Sequence, residues 1–236
     1  MIRKIGKVLG IIIAILIITF ITVYAIYNEK LPDGRPGADA DALAEKMLAT
    51  LNDDKFKETR YLEWSFNGGD HQYKWDKEKR KVDVSWDDYL VNLDLISKGS
   101  SIVFKNGERL MDLESEAIIE KAVDKFNNDS FWLVAPYKVF DAGVKRSIVA
   151  LPDGTNGLLV TYTSGGSTPG DSYLWMLQPN GFPKSFKMWV KIIPIGGIEA
   201  TWDDWAVMES GAFLPKSHEM GPIKLMMGNI RGYNEE

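Results

Sequence analysis

Two histidines, a scatter of aspartates and no cysteine are what this 236-residue chain offers for chemistry. His71 follows Asp70 in what reads as a hairpin turn, and His218 precedes Glu219 near the end of a late strand. With nearby carboxylates they could hold zinc, but no ligand spacing supports that, and exposed polar residues are the expected reading. No HExxH, GxSxG, P-loop or EF-hand pattern occurs. A serine triad needs one of these imidazoles beside a serine and an acid, and nothing local supplies the set. Asp76, Asp83, Asp87, Asp88, Asp94, Asp203 and Asp204 could include the paired acids of a glycosidase. Most of them fall at turns or on polar strand faces, where a solvated carboxylate is ordinary. Asp203-Asp204 stands out because Trp202 and Trp205 flank it, as in sugar sites; a turn between core tryptophans is the plainer account. Ser167 to Asp171 (STPGD) is followed by no lysine and opens no helix, so it reads as a turn or lid rather than a phosphate cradle. The lack of cysteine removes disulfides, thiol nucleophiles and thiolate zinc sites together. No catalytic residue, metal or cofactor is expected.

The unusual feature is aromatic: eight Trp, nine Tyr and ten Phe. Aromatic side chains fill a large core efficiently, which is the simple explanation. The sharper one is that a curved sheet lined by them encloses more apolar volume than two or three short helices fill, leaving a pocket for an acyl chain or apolar segment. Trp64, Trp75, Trp86, Trp132, Trp175 and Trp189 are the candidate lining residues.

These residues sit on elements legible from their spacing. Leu43, Met47 and Leu51 form an i, i+4, i+8 stripe on a helix over 42–51, with Asp39 or Asp41 as its cap. From Tyr61 the period becomes two: Leu62, Trp64 and Phe66, then Tyr73 and Trp75, then Val82, Val84 and Trp86, then Val91, Leu93 and Leu95, then Ile102 and Phe104. Turn residues separate these runs, so they predict a five-strand antiparallel meander with one apolar and one polar face. Ile118, Ala122 and Phe126 mark a helix over 114–127, ended by Asn127-Asn128-Asp129. Ser130 to Val139 is apolar around Pro136 and reads as a second short helix or a plugging loop. Strand-like runs separated by turns such as Pro152-Asp153-Gly154 then continue to the end of the chain. The expectation is an α+β fold: one large curved antiparallel sheet, an unclosed half-barrel of about 11 strands, with two or three helices on its concave side.

Ahead of this domain stands Val8 to Tyr27, without one charged residue. About twenty helical residues cross a hydrocarbon core of about 30 Å. Arg3, Lys4 and Lys7 precede it, so residues 1–7 are expected in the cytoplasm, 8–27 in the inner membrane, 28–38 as an exposed tether, and 39–236 on the far side, in the periplasm. A signal peptide cleaved after Ala25 is the alternative, although its apolar region is ordinarily roughly 7–15 residues. Three of the 28 basic residues precede the apolar stretch and none of the 33 acidic ones does, leaving 25 against 33, or −8, beyond it. Such a domain is a poor nucleic-acid partner, and any contact it makes with lipid must be apolar and local.

The order helix, strands reading LEWSF, HQYKWD and KVDVSW, helices and a second run of strands resembles the lipoprotein-carrier (LolA/LolB-like) superfamily. The likeness spans roughly Asp39 to Arg231 and is closest to membrane-anchored envelope proteins of that type. It implies an unclosed barrel over helices whose hollow takes lipid acyl chains, hence a non-catalytic domain that binds a lipid or an acylated protein. Two alternatives stand beside it: a protein-binding envelope scaffold or sensor with a filled core, and an envelope hydrolase using acids near Asp203.

Overall fold

The computed structural model describes residues 2–111, 113–165 and 167–235. The side chains of residues 2–5 and 113 lie outside the described set, and with them Arg3 and Lys4 of the basic flank and Gly166 of the glycine-rich loop. Helix α1 (Ile2–Tyr27) contains the stretch Gly6–Tyr27, which is long and apolar enough to cross a membrane and buries none of its surface in the domain. After it come α2 (Ala38–Thr50) and the short α3 (Asp53–Glu58). The predicted meander follows as β1 (Tyr61–Phe66), β2 (His71–Asp76), β3 (Lys81–Trp86), β4 (Tyr89–Asp94) and β5 (Ile102–Lys105), extended by a short β6 (Glu108–Leu110). Helix α4 (Leu113–Val134) then leads through a 3-10 turn (Ala135–Lys138) into β7 (Val144–Ala150), β8 (Asn156–Tyr162), β9 (Ser172–Leu177), β10 (Pro183–Trp189) and β11 (Ile198–Thr201). The chain closes with β12 (Asp204–Val207), β13 (Phe213–Met220), β14 (Ile223–Met226) and β15 (Gly228–Tyr233).

The expected single sheet of about 11 strands is corrected: among the described residues 15 strands form three antiparallel sheets, none of them closed. The seven-stranded sheet runs β15-β1-β2-β3-β4-β5-β6, the five-stranded one β11-β10-β9-β8-β7, and the three-stranded one β12-β13-β14. The division has local causes. What reads as one run over 197–208 divides after Trp202: its N–H still bonds the Lys184 carbonyl of β10, and beyond it the Trp205 indole folds back to donate to the Trp202 carbonyl. Residues before the break stay with β10; those after it pair with β13. The last run breaks at Met227, whose N–H goes to Lys216, and β15 then crosses to β1. The three sheets nevertheless adjoin, because β13 lies beside both β11 and β15, and the Glu219 N–H donates to Thr201 Oγ1.

The helices bury their stripes against this wall. Ala40, Ala44 and Met47 of α2 and its C-cap Leu51 are fully covered, with Leu43 packed at the margin. No aspartate caps α2: its N-cap is Gly37, and Asp39 and Asp41 accept instead from Arg35 and Arg146. Helix α4 does not stop at Asn127-Asn128-Asp129 but runs to Val134. Such side chains interrupt helices when they compete for nearby backbone groups. Here they are engaged elsewhere, Asn127 with Ser167, Asn128 with Asp129, and Asp129 with strand β2.

The segment over 28–38 is exposed but not free. Asn28 Oδ1 accepts from the Gly196 N–H at 2.8 Å, and the Glu29 N–H donates to the Gly196 carbonyl at 2.9 Å. Lys187 pairs with the Glu29 carboxylate, the Trp189 indole donates to the Glu29 carbonyl, and Arg35 bridges to Ile148 on the edge strand β7. Glycine is required where this segment crosses the 190–197 loop. A Cβ at Gly196 would stand 2.8 Å from the Glu29 carbonyl oxygen, and one at Gly197, where φ is +82°, would stand 2.6 Å from Glu29 Cβ. Gly197→Val should therefore detach the segment, and limited trypsin digestion should cut after Lys30 several-fold faster than in the parent chain. Unchanged cleavage would show that the crossing does not hold the segment.

Candidate functional site

A cavity of about 650 Å³ opens between the C-terminal half of α4 and the concave face of β9 and β10. Helix α4 contributes Phe126, Phe131 and Trp132, β9 contributes Tyr173, β10 contributes Met188, and Trp75 of β2 closes the far wall. The side-chain alternation of a strand explains the last three: Tyr173 and Met188 share the inward parity of Trp175 and Phe186, and Trp75 that of Tyr73. Phe126 stands edge-on to Trp75 at 5.2 Å, and Phe131 packs on Tyr173 at 4.7 Å. The mouth carries Lys77, Arg80 and Lys138, with Val190, Ile192 and Ile193 from the loop after β10. Lys77 donates to the Phe56 carbonyl and lies over that ring, and burial pushes its pKa down to about 8 against the opposing pull of Asp53.

Of the six tryptophans the sequence nominates, the structure brings Trp75 and Trp132 to this cavity. Trp64 shares the concave face with Trp75 but stacks on Tyr73 at 4.5 Å, and Trp86 packs beside Tyr89 at 5.5 Å. Trp175 is wedged edge-on between Phe186 and Trp202. Trp189 follows Met188 and so points to the opposite, convex face, where it meets Glu29 and a small cluster around Val149, Leu159 and Leu174. Phe126, Phe131, Tyr173 and Met188 escaped the sequence reading. Helical spacing from Ile118 points to Phe126, and strand parity from Phe186 points to Met188. The indole N–H groups of Trp64, Trp75, Trp175 and Trp202 are buried without an acceptor among the described residues and are covered by packed side chains rather than presented to the cavity.

One polar cluster fixes α4 above the seven-stranded sheet. Asp129, 2% exposed, accepts from the Tyr73 hydroxyl at 2.5 Å and meets His71 Nδ1 at 2.7 Å. Lys125 reaches His71 Nε2 at 2.6 Å. An ammonium only donates, so Nε2 accepts and Nδ1 carries the hydrogen that Asp129 receives. Burial, then the Asp129 charge, raises the Tyr73 pKa far above its ordinary value and keeps it a phenol donor. His71 is thus an interior tie rather than an exposed turn residue, and the glycine-rich loop joins it on the helix: Ser167 bonds Asp124 and Asn127.

His218 is likewise not an exposed polar residue. It is fully buried, with Nδ1 2.7 Å from the Thr201 carbonyl and Nε2 2.7 Å from the Trp132 carbonyl; a neutral ring has one N–H and donates to only one of the two, so it sits between α4 and β11 with a single hydrogen bond. The two histidines face different partners and do not converge on a metal position. Asp204 accepts from Lys216 at 2.8 Å and Ser217 at 2.7 Å, and these bonds hold its pKa below the usual carboxylate range. Asp204 is thus the ion-paired first residue of β12, and Asp203 before it faces solvent.

No family model, curated protein or solved structure matches this chain. The likeness to the lipoprotein carriers is therefore a reading of the strand and helix pattern alone.

Burial, outweighing the two carbonyl contacts, lowers the His218 pKa below 6.5. The unfolded chain then takes up a proton that the folded one resists. The contribution of His218 to stability is full above pH 6.5 and is lost as pH falls from there through the folded value. The thermal midpoint of the parent chain in detergent should fall more steeply with acidification below that point than that of His218→Gln. Parallel slopes for the two chains would contradict a buried neutral imidazole.

Proposed function

We propose that this chain is a membrane-anchored, extracytoplasmic domain that holds a hydrophobic ligand, a lipid or an acylated protein, without catalysis. The observation that carries the reading is the cavity of about 650 Å³ walled by Trp75, Phe126, Phe131, Trp132, Tyr173 and Met188. Its volume lies within the range of roughly 300–1,000 Å³ of small-molecule sites, and its wall combines these apolar side chains with polar ones, the buried Ser130 and Asp171 among them. A scaffold with a filled core would have no such space. A hydrolase working near Asp203 would need acids free to act, and Asp204 is committed to Lys216 and Ser217.

The anchor supports the location. Gly6–Tyr27 is suited to span a bilayer, and Arg3, Lys4 and Lys7 before it favour an orientation with the domain outside the cytoplasm. Our reading is a periplasmic domain held on the inner membrane of a bacterial envelope, as the resemblance to lipoprotein carriers also implies.

Native mass spectrometry of the chain from mild detergent, with lipid extraction of the same sample, tests this. Phospholipid or an acylated peptide should accompany the parent chain and the Trp64→Phe variant, and should be lost from Val190→Trp, which puts an indole into the cavity mouth. A bare mass for the parent chain after incubation with vesicles would remove the ligand-binding reading in favour of a protein-binding scaffold.

A further inference from the structure

The described residues place the 190–197 loop, whose residues Val190, Ile192 and Ile193 line the cavity, one residue from the end of the membrane-spanning stretch. That stretch ends at Tyr27, and Asn28 is already bonded through its side chain to Gly196 at 2.8 Å. Consecutive Cα atoms are about 3.8 Å apart, so the 190–197 loop has no length of chain by which to stand away from the exit of the helix. The Glu29–Gly196 and Trp189–Glu29 hydrogen bonds, and the crossing that only Gly196 and Gly197 admit, fix the same juxtaposition independently.

The loop's composition fits that place. It reads KIIPIGG from Lys191 to Gly197 and carries no acidic residue. Ile192 is 71% exposed, Pro194 is exposed, and Ile193 and Ile195 are half-buried. On a domain of net charge −8 this is an apolar, locally basic edge, with Lys30 and Lys191 exposed beside it. The same loop forms part of the cavity wall through Val190, Ile192 and Ile193. It is also tied to the glycine-rich loop opposite, where Asp171 accepts from the Lys191 N–H at 3.0 Å.

From these observations, and resting on the ligand-binding reading above only for the identity of what passes, we infer that the 190–197 loop is the domain's contact with the bilayer. Ile192 and Pro194 enter the leaflet from which α1 emerges, and the cavity opens sideways into that leaflet. Its ligand then comes from the adjacent bilayer as an acyl chain moving from one apolar surroundings to another, without crossing water. The exposed isoleucine is explained by the same contact, since its apolar surface leaves water when the loop is seated.

The chain has no cysteine, so single labels are clean. Ile192→Cys, Pro194→Cys and Ile223→Cys, each in the full chain, would carry a nitroxide in phosphatidylethanolamine–phosphatidylglycerol vesicles. Ile223 is itself 50% exposed and lies on the three-stranded sheet. Labels at 192 and 194 should be several-fold less accessible to a water-soluble nickel chelate than the label at 223, and more accessible to oxygen. The same contrast should persist when Val190→Trp fills the mouth, so the contact is judged separately from what the cavity binds. Nickel accessibility at 192 and 194 equal to that at 223 overturns the contact, whatever the cavity holds. Burial of all three labels overturns it as well, because the domain would then lie on lipid without using this loop.

Discussion

Open sheets with an apolar face have to be covered on that face, and here α4 covers the seven-stranded sheet while α2 packs on β7 and β8. Helix α4 has 22 residues, about 33 Å at 1.5 Å per residue, and it lies against β4, β5 and β13. It covers the seven-stranded side closely, where Phe126 meets Trp64, Tyr73 and Trp75. On the five-stranded side it leaves a space that no other helix enters among the described residues, and that space is the cavity. The position of α4 is set by polar ties rather than by apolar contact alone. Asp129 binds Tyr73 and His71 on one flank, and His218 meets the Trp132 carbonyl on the other. Buried polar groups are costly unless satisfied, and satisfied ones specify a single arrangement. The helix is thereby held at the depth that leaves the cavity open.

Much of the local structure was legible in the sequence. The alternation of Leu62, Trp64 and Phe66, of Tyr73 and Trp75, and of Val82, Val84 and Trp86 located β1 to β3 and their apolar face, because a half-buried strand must alternate. The uncharged run from Val8 located α1 for an equally direct reason. What was not legible depends on partners far along the chain. Nothing near Tyr61 announces that its neighbour is Tyr233, and nothing near Ile198 shows that the strand after Trp202 will leave the sheet. Asn127 to Asp129 looked like a helix stop because the residues that satisfy them, Ser167, Tyr73 and His71, lie on other elements. The two histidines looked exposed for the same reason.

The candidate site shows the limit of residue type as a guide. Six tryptophans were plausible linings, and parity alone separates Met188, which faces the cavity, from Trp189, which faces out. Trp189 has a different use, since its indole secures Glu29 two residues beyond the apolar helix. The outer face thus fastens the domain to its anchor while the inner face encloses the cavity, and β10 contributes to both through adjacent residues. The proposal of a membrane-held ligand carrier draws on this coupling of anchor, loop and cavity more than on any single side chain.

The central claim is that apolar chains from the membrane occupy the space between α4 and β10. Photo-crosslinking tests it most directly, with the full chain in vesicles containing a phospholipid whose acyl chain carries a diazirine, followed by peptide mapping. Adducts on α1 are expected in any case. The account predicts further adducts on residues 126–134 of α4 and on 186–193, at the two walls of the cavity. Adducts confined to α1, with both walls unmodified, would contradict it.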